Sequence, residues 1–330
     1  NALQVELLGH GQALTMRHNA EAYDLYLRGL RARHLPGPES MQEALEHFRQ
    51  SLELDPELAV AWQQLAGVYS ALTIAGALPT SEGVPLAKDA VQRALELDSA
   101  LAGAHAAQGA IRSYFDLDWQ GAEQSYARAL EIDPNNAGAL DGAGSLSAAL
   151  GNHAVAVNYN RRSIQVDPLN IRALHNRAFI NYLGRDFETA ETALRDALEF
   201  AGGNYMYAHT VLSLILVAQG RLDEALAAAE KEIGEPWRLS SQMVVYHALG
   251  REEESEAALQ QLIEQYSDRL AVPIAGCYAF RGDADKAMEW FNRAYDQGDP
   301  QLSVSRVHPV HDKIQGDARF KELLRKLDLL

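Results

Sequence analysis

Ser51-Leu-Glu-Leu-Asp-Pro56 is the first of five near-copies of one phrase in this chain. The others are Ala94-Leu-Glu-Leu-Asp-Ser99, Ala129-Leu-Glu-Ile-Asp-Pro134, Ser163-Ile-Gln-Val-Asp-Pro168 and Ala197-Leu-Glu-Phe-Ala-Gly202. Successive starts lie 43, 35, 34 and 34 residues apart. A fixed period of that size marks a stack of small units, each burying its apolar face against the next. The first interval carries nine extra residues, where Gly76, Pro79, Gly83 and Pro85 cluster. That cluster reads as a loop.

Upstream of each phrase runs a small, a large and a small residue at spacings of four and three. The sets are Ala44-Phe48-Ser51, Ala87-Val91-Ala94, Ala122-Tyr126-Ala129, Ala190-Leu194-Ala197 and Ala287-Phe291-Ala294, with Ala225-Ala229 as a shorter version. Those spacings share one helix face. Small residues let two helices approach, and the large one fills the space between units. The first helix of each hairpin precedes these, marked by Trp62, Leu65, Ala66 and Tyr69, then by Gly109, Gly144 and Ala178 at the small position. Leu150-Gly151, Leu183-Gly184, Gln219-Gly220, Leu249-Gly250 and Arg281-Gly282 follow as turns. Glycine there is expected to supply the left-handed residue that ends a helix. Asp-Pro ends the second helix and opens the linker.

These residues identify the chain as resembling the tetratricopeptide repeat superfamily over roughly residues 20–296. Trp62, Leu65, Ala66 and Tyr69 follow its Trp-x2-Leu-Gly-x2-Tyr pattern, with Ala66 in place of glycine. The cleanest unit is Ala137–Asn170, which departs from the pattern at Leu140 and Asn160. The fold expected is all-α: a right-handed superhelical α-solenoid of about eight hairpins. Residues 1–19 read as a linker or helix from an upstream region, 20–234 as well-matched repeats, and 235–300 as degenerate hairpins at about Arg238–Gln265 and Asp268–Asp296. Residues 301–330 read as a loop and a capping helix carrying Phe320, Leu323, Leu324 and Leu327.

A narrower resemblance lies in Ala22-Tyr-Asp-Leu-Tyr-Leu-Arg-Gly29, Tyr114-Phe-Asp-Leu-Asp-Trp119 and Gly316-Asp-Ala-Arg-Phe-Lys-Glu-Leu-Leu-Arg325. These look like the repeat region of bacterial multidomain signalling proteins. There the repeats follow an adenylate/guanylate cyclase, winged-helix or kinase domain. No motif of those domains lies in this chain. The opening Asn1-Ala2-Leu3 lacks Met and reads as part of a longer protein.

Composition agrees with a binding array. The 330 residues are 47% hydrophobic and 22% charged, with a formal net charge of -16. An acidic surface lacking Lys/Arg clusters argues against direct nucleic-acid binding. No apolar run reaches the roughly 18–20 residues of a membrane span. The one cysteine, Cys277, excludes an internal disulfide and reads as a small buried side chain rather than a nucleophile. The expected location is cytoplasmic, with the periplasm as the alternative.

Phosphate-cradling, zinc-protease and nucleophile-elbow motifs are absent from the sequence. His308-Pro-Val-His311 offers two imidazoles and reads as a surface loop rather than a metal site. Gly142 and Gly144 read as close helix packing rather than a cofactor loop. No enzyme activity and no cofactor are expected.

The resemblance implies that positions 2, 5, 9 and 12 of each first helix face a groove. They give Gln63, Asp141, Arg172, His175, Phe179, Tyr182 and His209 as candidate partner-binding residues, with Met206 beside them. Arg172, His175, Tyr182 and His209 make a mixed patch suited to an extended peptide. The partner is a protein or peptide, or another domain of the same polypeptide. The two-carboxylate clamp of chaperone-binding relatives needs Lys and Asn on adjacent groove faces, which this sequence does not supply. The alternative function is an independent assembly scaffold.

Overall fold

In the computed structural model the described residues are 19–33, 35, 38–203, 205 and 207–330. Apart from Asn19, the expected upstream linker lies outside them. Every regular element among the described residues is helical. Eight paired hairpins follow one another. They are Ala20–Arg33 (α1) with Pro38–Leu54 (α2), Ala59–Ile74 (α3) with Thr80–Leu97 (α4), and Ala102–Ile111 (α5) with Trp119–Ile132 (α6). Next come Ala137–Ala149 (α7) with His153–Val166 (α8), Ile171–Leu183 (α9) with Phe187–Phe200 (α10), and Ala208–Ala218 (α11) with Leu222–Ala229 (α12). The last two are Glu235–Ala248 (α13) with Glu252–Tyr266 (α14), and Ala271–Arg281 (α15) with Ala284–Gln297 (α16). Ala318–Lys326 (α17) closes the chain. The chain divides into two compact units, Asn1–Gln108 and Gly109–Leu330, the division falling within α5.

In the first unit Ala44, Phe48 and Ser51 of α2 are fully buried. Burying a side chain such as Phe48 stabilises by about 1.5–3 kcal/mol. The Ser51 hydroxyl donates to the Ala22 carbonyl at 2.6 Å, tying α2 to α1. Asp55 ends α2, and its carboxylate accepts the Glu57 amide at 3.1 Å. Asp98, Asp133 and Asp167 repeat this turn at the amides of Ala100, Asn135 and Leu169, so the recurring Asp is a helix stop with its own hydrogen bond. The nine extra residues are not all loop. Gly83 and Pro85 lie inside α4, and the insertion is shared between longer helices α3 and α4 and a longer turn. Pro85 is the sixth residue of α4 and leaves the Ser81 carbonyl without its intrahelical amide donor.

The second unit repeats the small-large-small face. Ala122, Tyr126, Ala129, Ala156, Ser163, Ala190, Leu194, Ala197, Ala287, Phe291 and Ala294 are all buried. The degenerate stretch keeps it too: Ser255, Leu259 and Leu262 of α14 are fully buried, and Ser255 donates to the Met243 carbonyl at 3.0 Å. Asn160, which replaces an aromatic, donates to the Ala173 carbonyl of the next hairpin at 2.9 Å. A hydrogen bond thus stands in for an apolar contact. Cys277 is buried in α15, which pushes its thiol up to about 12.

One turn differs from the expectation. Gly151, Gly220, Gly250 and Gly282 take positive φ, but Gly184 does not. The left-handed residue after α9 is Arg185, at φ 64°. Gly184 is instead a close approach: a Cβ there would overlap the His153 ring. No helix among the described residues is long and apolar enough to cross a membrane.

Candidate partner-binding face

Within the second unit the first helices α7, α9 and α11 are neighbours in order. Asn136 and Asn170 cap α7 and α9 by accepting the amides of Ala139 and Ala173. Those caps fix the register, so Asp141 is position 5 of its helix and Arg172, His175, Phe179 and Tyr182 are positions 2, 5, 9 and 12 of theirs. His209 is position 2 of α11, since α11 begins at Ala208.

The structure joins Asp141 to Arg172. The Asp141 carboxylate is buried, lies 3.2 Å from Arg172 Nε, and accepts both its hydrogen bonds from Asn176 Nδ2 at 3.0 Å. The Arg172 side chain is 51% exposed, and the charge of Asp141 holds its guanidinium above the ordinary range. A buried anion therefore anchors a cation that reaches the surface. Tyr126 lies below this pair, its ring filling the space beside Gly142, where a Cβ would overlap it. Gly142 is thus close helix packing.

His175 is buried and its Nε2 has no hydrogen-bond partner. Burial pushes its pKa down to about 4, so the ring is neutral at pH 7. Its ring centroid lies 5.2 Å from Tyr205 and 6.3 Å from Tyr207. Tyr207 meets Phe179 at 6.1 Å and Trp237 at 4.9 Å, both edge-on. Tyr207 holds a left-handed φ of 72° immediately before α11, a strained state for a residue with a Cβ. The buried Glu232 carboxylate offsets that strain. It accepts the amides of Tyr207 and Thr210 at 3.1 Å and that of Gly234 at 3.0 Å.

The remaining candidates fall elsewhere. His209 turns to its own loop, with Nε2 3.0 Å from the Gly203 carbonyl. Tyr182 is buried, and Phe179 is half-buried. Both meet the His308 ring, at 5.4 and 6.3 Å. His308 and His311 are therefore buried, not part of a surface loop. Gln63 lies in the first unit, where its side chain covers Gly103. Met206 lies outside the described residues. No cluster of three or more His, Cys, Asp or Glu suited to a metal ion occurs among the described residues.

Sequence reasoning missed Asn176, Tyr207, Glu232, Trp237 and Arg185. Asn176 lies four residues after Arg172, a spacing that signals a shared helix face. The others come from loops and neighbouring hairpins, and no periodic signal marks them.

With this geometry in place, comparison with known proteins supports the class. No protein-family model matches the chain. A 100-residue stretch is 32% identical to the Hsp70-Hsp90 organizing protein of Triticum aestivum, covering 30% of this chain and 16% of that protein. The match thus spans about a sixth of that relative's length. A tetratricopeptide repeat protein from Parabacteroides merdae aligns with TM-score 0.50 at 17% identity, over 70% of this chain and 93% of that one. Yeast Tom70 aligns with TM-score 0.52 at 18% identity, over 94% and 68%. The fold is an array of helical hairpins of the kind seen in these tetratricopeptide repeat structures.

Proposed function

We propose that this chain is a non-catalytic interaction region that holds a peptide or partner domain against the inner face of its hairpins. In the second unit that face centres on Arg172, held by the buried Asp141, with His175, Phe179, Tyr205 and Tyr207 beside it. The observation carrying this reading is the pairing of a buried Asp141 with a half-exposed Arg172 beside an aromatic wall. The pair presents guanidinium donors to an incoming carbonyl or carboxylate without leaving a buried charge unpaired. Tyr205, Tyr207 and Phe179 offer ring faces to side chains of the same segment.

From the narrower resemblance we infer that the chain serves a cytoplasmic bacterial signalling or transcription-regulating protein, where such repeats follow a cyclase, winged-helix or kinase domain. The role named for the wheat relative, organising Hsp70 and Hsp90, is not carried over, because Arg172 is engaged by Asp141 rather than held in a Lys/Asn clamp. The test compares the partner affinity of the wild-type chain with that of Asp141→Asn/Arg172→Ala, which removes both charges together. Affinity should fall at least about tenfold, the equivalent of one charge-assisted hydrogen bond. Unchanged affinity would show that the partner binds elsewhere. The gene sequence upstream of Asn1 decides the signalling context.

A further inference from the structure

The second helices of the hairpins differ in charge. Of the eight, α8 alone carries no Asp or Glu. Arg161 and Arg162 make it a cationic helix in a chain of net charge -16. Elsewhere Arg93, Arg128 and Arg195 each pair with a Glu three or four residues away on their own helix. α8 offers no such acid. Arg161 donates to the Asn158 side chain at 2.8 Å. Arg162 donates to the Pro134 carbonyl at 3.3 Å and lies over the Tyr159 ring. Among the described residues no carboxylate pairs with either arginine.

Apolar groups face water on this same helix. Val155, Val157 and Val166 of α8 are exposed, and so is Leu169 in the turn beyond it. They border a solvent face formed by Asn158, Arg161 and Gln165. A lone exposed valine needs no explanation, but four such side chains on one helix and its closing turn make a patch.

The next second helix is the complement. α10 carries Glu188, Glu191, Asp196 and Glu199 against the single Arg195. Glu188, Asp196 and Glu199 are exposed and have no ion pair among the described residues, and Phe200 is exposed at the end of the helix. Both α8 and α10 pack on α9, so they run in the same direction, opposite to it.

We propose that α8 and α10 form the interface of a two-fold dimer of this chain, with α8 of each copy seated on α10 of the other. Like charges keep a second copy from most of an acidic surface. Here a cationic helix stands one hairpin from an anionic one, so a two-fold rotation brings opposite charges together twice. That rotation lays the helices antiparallel. Arg161 then meets Glu188 and Asp196 of the other copy, and Val155 and Val157 meet its Phe200. Apolar burial drives the contact, and the charges fix its register. The interface uses side chains outside the inner face, so it stands or falls separately from the Arg172 reading.

Sedimentation of the full chain across a concentration series tests it. Wild type should dimerise. Arg161→Glu and Asp196→Arg alter exposed side chains, so each should keep the melting curve and weaken the dimer at least about tenfold. Mixing the two variants should restore it, because one contact in the mixed dimer is wild type and the other has its charges exchanged. Val157→Ser, which adds no charge, should also weaken the dimer. A wild-type chain that stays monomeric throughout overturns the proposal and leaves α8 to a different, acidic partner. So does a dimer that tolerates both charge reversals, or a mixture that fails to recover.

Discussion

Moderate acid should loosen the second unit, and the size of the effect follows from three buried groups. Burial lowers His175 and His311 to about 4 from 6.5. His311 holds the Ser305 carbonyl through Nδ1 and faces Phe291, Phe320, His308 and the neighbouring Asp312. His175 faces Asn176, Tyr205 and Tyr207. Both rings fold neutral, so the unfolded chain binds more protons as pH falls below 6.5, and stability drops. Linkage gives a loss of about 2 kcal/mol for each ring between pH 7 and pH 5.

Asp299 acts in the opposite sense. Burial raises it to about 6 from 3.8, although it accepts the amides of Val272 and Gln301. The folded chain takes up that proton first, which returns about 1 kcal/mol over the same window. The net loss is roughly 2–3 kcal/mol, and His308, also lowered by burial, adds to it. Asp317, held at about 2 chiefly by Arg319, titrates below this window and does not enter. Urea unfolding at pH 7 and pH 5 measures the difference, and His311→Gln should flatten it. Equal or greater stability at pH 5 would refute the reasoning.

Other substitutions separate packing from binding. Ala156→Leu should cost about 1–3 kcal/mol, because Ala156 is fully buried where α8 passes Gly144 of α7; an unchanged melting temperature would count against the register. Glu232→Ala should cost about 2–4 kcal/mol by orphaning the Tyr207 and Thr210 amides, measured by urea unfolding and by faster exchange at the start of α11. Arg172→Ala alone should destabilise by about 1–3 kcal/mol, since it leaves the buried Asp141 with only Asn176, and Asp141→Asn should restore most of that loss. Melting curves of the single and double variants report it.

The hairpins were legible because their physics repeats. One small-large-small face recurs from Ala44 to Ala294, and a helix stop recurs at Asp55, Asp98, Asp133 and Asp167. Even the weak stretch after Glu235 keeps that face at Ser255, Leu259 and Leu262. What could not be read has no period. Arg306 and Val307 meet turns more than a hundred residues upstream, and nothing in His308-Pro-Val-His311 announces Tyr182 as its neighbour. The Trp119 indole donates to the Leu327 carbonyl at 2.7 Å, so the closing helix also reaches α6, a contact between residues 208 apart. Arg185 was hidden by the glycine before it, which suggested the usual left-handed turn one residue early. The groove register named Arg172 and His175, but it could not show that Asp141 holds one and that burial keeps the other uncharged.

The central claim is that partners are held on the inner face. Photo-crosslinking in the source cell tests it most directly, with a benzophenone amino acid at position 172 and, as control, at the exposed Arg93 of α4. The account predicts a discrete protein adduct from position 172 and none from position 93. Adducts from position 93 alone would contradict it.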